Sequence, residues 1–429
     1  MRKDATGNQV EPEAGEEALR ALDEDAVIRD LQALVRLESI TGEERDAAEF
    51  VVDRAREFGL SAELEEEDVA ALRVADGWPG EEVERQELVN ARVVLDGTGD
   101  GRLALCAHLD VVHPGKERWK HGNPFSGVID DGKLFGRGSA DMKAGVIAAL
   151  HALAAVRLAG IETAPAHLLA VSSEEDGGLG AFAALRRDAA YTGCVIPEPT
   201  GFDVACAQAG AITFKGTILG KSAHAAHRLR GVSALDRYLP IHKALADYEE
   251  AVNRNVVHPL MRRLSLPYPV LVGRLTTGTW SSQVPDRLEF EGRAPVEVGQ
   301  TVADAKAAVE SAIASATKVD ASDPRLGRVE LTWSGGSFAS CEIDPAHPFV
   351  RSVSGAVADE LKRDVRDVGV PWGADMRLFH AKGIPTVMCG PAGIERAHAV
   401  DEWVACDEVI TIARALIRLV CRFHSIASP

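Results

Sequence analysis

Short apolar runs alternate along the chain with longer stretches in which apolar residues recur at helical spacing. The runs at residues 91–95, 103–107, 166–171 and 194–196 have strand length, while residues 25–37, 142–158 and 181–187 read as helices. Strand and helix alternating in this way predict a largely parallel sheet covered by helices on both faces. From about Ala209 the order changes. A strand at 211–219, a helix at 232–248, strands at 270–275 and 288–291, a helix at 302–316 and a strand at 329–333 give β-α-β-β-α-β, a self-contained split unit. Beyond Gly336 the alternation resumes with a helix at 349–362, an apolar strand at 385–389 and a closing helix at 407–423. The pattern predicts an α/β domain formed by residues 26–207 and 337–429, interrupted by a smaller domain at 208–336 and preceded by a loose acidic tail at 1–25.

Composition narrows the function classes. The 65 acidic side chains against 47 basic ones leave a formal charge of −18, which argues against a nucleic-acid binder. Residues 61–88 alone hold ten acids and two bases and lie outside every motif named below. At 46% apolar residues the chain can build a core, which excludes disorder throughout. The most apolar stretch, 144–161, is interrupted by His151 and Arg157 and reads as a buried helix, not a membrane span. The first residues lack the apolar core of a secretion signal, so the expected location is the cytoplasm. Seven cysteines with no CxxC pair fit free thiols in a reducing compartment.

Candidate chemistry gathers at the ends of the strands. His108 and Asp110 close the run LALCAHLD. Residues i and i+2 of a strand share a face, so the Asp110 carboxylate is expected to orient the His108 ring from its second nitrogen. Asp141 follows the Gly-rich turn GRGSADMKAG ahead of a helix; Glu174 and Glu175 follow AHLLAVSS; Glu198 closes GCVIPE; His398 sits in GIERAHAVDEW. Apart from Asp141, each lies just past a predicted strand, where ligands bind in open α/β sheets. Adjacent Glu174 and Glu175 repel each other unless the loop is solvated or a cation is near. Two imidazoles, several carboxylates and no thiolate make the ligand complement of a two-metal hydrolytic site, with metals about 3.5–4 Å apart. Zinc, cobalt and manganese suit those donors. A carboxylate left outside the ligand set predicts a general base and hydrolysis of an amide.

The segments HLDVVHPG, DGKLFGRGSADMKAG, SSEEDGG, PEPTG, GKSAHAA and GPAGIERAHAVDE resemble, in order and spacing, a family of dinuclear zinc peptidases and deacylases. That family includes acetylornithine deacetylase, succinyl-diaminopimelate desuccinylase, aminoacylase and glutamate carboxypeptidase, and the resemblance runs from about residue 27 to 424. It implies a zinc-exopeptidase-like catalytic domain with an inserted ferredoxin-like domain that acts as lid and dimer interface. It implies His108, Asp141 and Glu198 around one metal, and Asp141, Glu175 and His398 around the other, Asp141 bridging. Glu174 is then the general base and Asp110 the partner of His108, while His224 resembles a histidine that crosses a dimer interface to steady the oxyanion. Arg377 resembles an arginine that grips the substrate carboxylate, and Gly390 and Gly393 flank a loop whose amides lie nearby. Relatives often carry Asn before a VPD-like turn and Arg about ten residues after its proline. Here Gln283 precedes Val284-Pro285-Asp286, and Arg293 follows Pro285 by eight. His113, His121 and His227 read as local hydrogen-bonding or surface residues, and residues 253–269 as an extension of the inserted domain without an evident purpose. The implied activity is removal of an acyl group from a small N-acyl amino acid, acetylornithine deacetylase-like, by a homodimer with two divalent metals per subunit. A dipeptidase or glutamate-type carboxypeptidase using the same site is the alternative. A non-catalytic ligand-binding relative is disfavoured, because every implied ligand and Glu174 are present.

Overall fold

A computed structural model describes residues 10–99 and 101–423. The chain divides into two compact units. The first holds the chain up to Cys206, Ile343–Val368 and the chain from Leu378 on; the second holds Ala207–Glu342 and Gly369–Arg377.

The first unit is built on a sheet whose four central strands are parallel, in the order Ala166–Val171, Leu103–His108, Gly193–Ile196, Thr386–Met388. All residues of the first three are buried, which is why they read in the sequence as continuous apolar runs and not as alternating ones. The flanks are antiparallel: Val89–Leu95 joins Ala166–Val171, Ser61–Glu66 joins Val89–Leu95, and Val204–Gln208 meets Thr386–Met388 at the other side. Helix Ala144–Leu158 is buried from Ala144 to Val156, and helix Cys406–Arg422, with Val409, Ile412 and Leu416 buried, packs on it. Among the described residues, Ser139–Leu158 alone is long and apolar enough to cross a bilayer, yet its most apolar window lies wholly inside the unit.

Three departures from the pattern reading have physical causes. Residues 1–9 lie outside the described residues, but Val10–Ala21 is a helix where a loose tail was expected. Its short apolar edge, Ala18 and Leu19, is buried, and Glu16 pairs with Arg418 at 3.0 Å. Strand Ser61–Glu66 escaped notice because its fully buried position is Glu65, held by Arg92 at 3.0 Å. No apolar alternation marks such a strand. Segment Gly369–Arg377, expected in the larger domain, groups with the second unit. There Gln208 Nε2 donates to the Ala374 carbonyl at 3.1 Å, and the Arg377 guanidinium lies 3.9 Å over the Phe338 ring.

The second unit has an antiparallel sheet in the order Leu271–Thr277, Arg287–Val296, Gly210–Leu219, Val329–Phe338, with helices Ala234–Arg254 and Val302–Ala316. Burial alternates along Gly210–Leu219, with Ile212, Phe214 and Ile218 facing Tyr238, Ile241, Val309 and Ile313 in one core. The extension at 253–269 is closed by Asn253, which donates to the Tyr268 carbonyl at 2.8 Å and accepts its amide at 3.0 Å.

Candidate metal centre

His108 is the last residue of its strand and is buried. Its Nδ1 lies 2.8 Å from the Asp110 main-chain oxygen, which can only accept, so Nδ1 carries a proton and Nε2 is turned to the carboxylates. Nε2 faces Asp141 Oδ1 at 3.1 Å and Glu198 Oε1 at 3.9 Å. Burial opposes charge on this ring, but the Asp141 hydrogen bond and the charges of Glu198, Asp110 and Asp141 outweigh it and hold its pKa well above the ordinary value.

The Asp110 carboxylate does not make the bond expected of it. Its Oδ1 is 3.7 Å from His108 Nδ1, too long for a hydrogen bond. The strand ends at His108, so the shared-face rule stops before Asp110, and the backbone carbonyl orients the ring instead. Asp110 Oδ1 and Oδ2 accept the amides of Glu174 and Glu175 at 3.0 and 3.1 Å, and Thr41 Oγ1 donates to Oδ2 at 3.1 Å. Asp110 thus ties the loop past one parallel strand to the paired glutamates past the next.

Asp141 sits in the Ser139–Lys143 turn that leads into helix Ala144–Leu158. Its Oδ2 lies 3.5 Å from His398 Nε2, so one carboxylate offers one oxygen to each imidazole. His398 Nε2 also meets Glu175 Oε1 at 2.9 Å. Burial lowers the His398 pKa, but the bond to Glu175 and the charges of Glu175, Asp141 and Glu402 push it up to about 9. Contacts therefore gather His108 and Glu198 on one side of Asp141 and His398 and Glu175 on the other. By proximity alone the trios within 4.8 Å are His108, Asp141, Glu175 and His108, Glu174, Glu198. Glu174 therefore lies among the candidate ligands, within 4.8 Å of His108 and Glu198.

Two residues that sequence reasoning passed over hold this arrangement. Glu402 Oε1 accepts the amides of Ala140 and Asp141 at 2.9 and 3.1 Å, and its Oε2 takes Arg137 Nη1 at 2.6 Å. Arg137 Nη2 reaches the His398 carbonyl at 3.3 Å. Both lie inside quoted motifs, GRGSAD and AHAVDE, where opposite charges beside proposed ligands were the available signal.

The donor chemistry fits a pair of divalent cations. Asp141, Glu174 and Glu198 are buried together beside Glu175, against two imidazoles that must be neutral to ligate. Uncompensated, each buried carboxylate costs several kcal/mol, and two divalent ions supply the balancing charge. The oxygen and nitrogen donors suit hard-to-borderline metals.

The substrate-side candidates fall elsewhere. His224, Gln283, Arg293 and Arg377 belong to the second unit. His224 and Gln283 are brought together by a β-bridge; His224 Nδ1 accepts the Ala226 amide at 3.1 Å, and Gln283 Nε2 donates to Ser222 Oγ at 2.6 Å. Arg293 and Arg377 converge on Phe338, their guanidinium carbons 5.6 and 3.9 Å from its ring centre. Gly390, in the first unit, already donates its amide to Thr200 Oγ1 at 3.1 Å. A Cβ there would lie 2.3 Å from the Pro197 carbonyl, so close packing, not an amide offered to substrate, demands glycine. Gly393 forms an isolated bridge with Thr200 and its carbonyl accepts Arg396 N at 3.0 Å.

Comparison with known proteins gives consistent results. A family model described as peptidase family M20/M25/M40 matches residues 104–422. The chain is 28% identical over 357 residues to an acetylornithine deacetylase of Salmonella arizonae, covering 80% of this chain and 88% of that protein. It is 30% identical over 246 residues to a succinyl-diaminopimelate desuccinylase of Methylobacterium radiotolerans, covering 54% of this chain but only 58% of that protein. A dipeptidase structure from Saccharomyces cerevisiae matches with a TM-score of 0.73 at 12% identity, covering 95% and 98% of the two chains.

Proposed function

The chain belongs to peptidase family M20/M25/M40, and from that membership we propose a two-metal amidohydrolase that removes the acyl group from a small N-acyl amino acid, as acetylornithine deacetylase does. One observation carries the reading: Asp141 offers an oxygen to each of two imidazoles, with Glu174 close to His108 and Glu198. The deacetylase likeness over 80% of the chain supports the substrate class.

His108, Asp141 and Glu198 would hold one cation and Asp141, Glu175 and His398 the other. Zinc, or else cobalt or manganese, held there would supply Lewis-acid polarisation of the scissile carbonyl and lower the pKa of the attacking water. Glu174 would take a proton from the attacking water as its oxygen adds to the acyl carbon, then deliver it to the amino nitrogen as the C–N bond breaks. Asp110 fixes where Glu174 stands by holding its amide. Arg137 and Glu402 keep Asp141 and His398 in register. The guanidinium pair at Phe338 suits a substrate carboxylate, and exposed His224 suits an oxyanion contact made across a homodimer in the cytoplasm.

A dipeptidase is the second reading, favoured by the likeness of fold to the yeast enzyme. Both reactions cleave an amide next to a free carboxylate. A panel of N-acetyl and N-succinyl amino acids and of dipeptides, assayed with zinc, cobalt and manganese, separates them. Fastest turnover on N-acyl amino acids is expected; a preference for dipeptides moves the assignment to the second reading, and no hydrolysis with any metal overturns both.

A further inference from the structure

Residues 67–88 belong to the acidic segment that lies outside every motif. They are not a solvated loop. Asp68 caps the short helix Val69–Arg73, and Val69, Leu72 and Leu88 pack against Leu179, Phe182 and Ala183 of the helix that follows the paired glutamates. Arg73 pairs with Glu81 at 2.6 Å and donates to the Arg85 carbonyl at 3.3 Å, folding the segment back on itself.

At its end the segment buries a guanidinium completely. Arg85 Nη2 donates to Asp176 Oδ1 at 3.0 Å and Nη1 to Glu44 Oε1 at 3.2 Å, and both carboxylates are almost fully buried. Asp176 follows Glu175 directly. Its Oδ1 also accepts a hydrogen bond from Ser173, and its Oδ2 accepts the amides of Glu82 and Val83 at 3.2 and 3.0 Å. The turn carrying Glu174 and Glu175 is therefore gripped from two directions, by Asp110 through its amides and by the segment through Asp176. Glu44 feels the charge of Asp110 as well as that of Arg85, so one fixed cation serves three buried carboxylates. Removing it would leave Glu44 and Asp176 as uncompensated buried charges, the costly case for a buried ion pair.

We propose that residues 67–88 act as a strap and that Arg85 is a positioning residue: by tying Asp176 to Glu44 it sets where the Glu174 carboxylate stands for proton transfer. The proposal rests on the hydrolase reading for its kinetic consequence, but not for its structural one. An Arg85→Ala variant that binds two equivalents of cobalt should lose about tenfold or more in kcat, as a displaced catalytic group does, with KM within about twofold. Added guanidinium ion should restore part of the loss. Unchanged kcat in a folded, metal-replete variant overturns the proposal, and so does a kcat loss that only tracks lost metal. If Arg85→Ala does not fold, Val83→Pro deletes one amide donor to Asp176 at a surface residue, and roughly a threefold fall in kcat is expected for one hydrogen bond. No fall overturns the proposal. Hydrogen exchange in the metal-free protein decides the matter without turnover. The Glu174 and Glu175 amides should exchange faster in either variant than in the parent, and equal rates overturn the strap even if the parent hydrolyses nothing, a result that would sink the hydrolase reading instead.

Discussion

Asp110 holds the amides of both Glu174 and Glu175, and the carboxylate contact with His398 is what separates Glu175 from its neighbour. Glu174→Gln keeps the shape and the amide but cannot accept a proton. It should bind two metals per subunit, measured by elemental analysis, and turn over at least about a hundredfold more slowly; a near-normal rate removes Glu174 from the role. Residue chemistry also sets a stability limit in acid, away from the site. His167 is buried, and its burial, together with the charges of Arg102 and Arg92, pushes its pKa down to about 4 from 6.5. The unfolded chain takes up the proton first as pH falls, so this contribution is intact above pH 6.5 and drains away between 6.5 and 4. The loss is on the order of 3 kcal/mol at most. Denaturant midpoints across that window should fall for the parent and fall less for His167→Gln. Equal slopes would mean another group governs the acid limb. At this scale the sequence was legible wherever a ligand-type residue stood at a strand end, as with His108 and Glu198. It was illegible where a backbone group did the work, as with the carbonyl that orients His108.

Elements explain why these side chains converge. Helix Leu179–Arg187 starts so close to the end of strand Ala166–Val171 that a Cβ at Gly180 would lie 2.3 Å from the Ser172 carbonyl and 2.6 Å from its amide. Those are backbone atoms and cannot rotate away. Gly180→Ala should therefore cost about 1–3 kcal/mol, read as a lower thermal midpoint, and should lower kcat, because Ser172 leads directly into the turn that holds Glu174. A variant as stable and active as the parent would show that the helix slides without disturbing the turn. The pattern found most elements, since the central strands and helix Ala144–Leu158 are buried as continuous apolar runs and the helices Glu24–Arg36 and Cys406–Arg422 carry their apolar residues at clear spacing. It missed Ser61–Glu66 and the strap for a common reason. Their inward positions are charged, Glu65 on Arg92 and Arg85 on Asp176, and ion pairs leave no hydrophobic period.

Across the whole molecule, a charge of −18 argues against a nucleic-acid partner but conceals how the acids are used. Some of the acid-rich stretch at 61–88 is structural, and the proposed ligands are a handful of carboxylates massed in the first unit. Massing them is unfavourable without cations, so metal and fold of that unit should be linked. A ligand that binds only the folded state at a hundred times its dissociation constant adds about 2.7 kcal/mol per site. For a domain of this size each kcal/mol moves the melting point by roughly 2–4 °C. The second unit has its own core of Phe214, Phe290, Tyr238 and Ile313 and none of the proposed ligands. Calorimetry with and without a chelator should therefore show a transition that falls by roughly 10 °C or more when metal is removed, restored by adding zinc or cobalt. If the units melt separately, only the first should move. A joint shift would mean that they unfold as one cooperative body, and no shift at all would sink the two-metal reading, because carboxylates massed this closely cannot be indifferent to the ions that balance them.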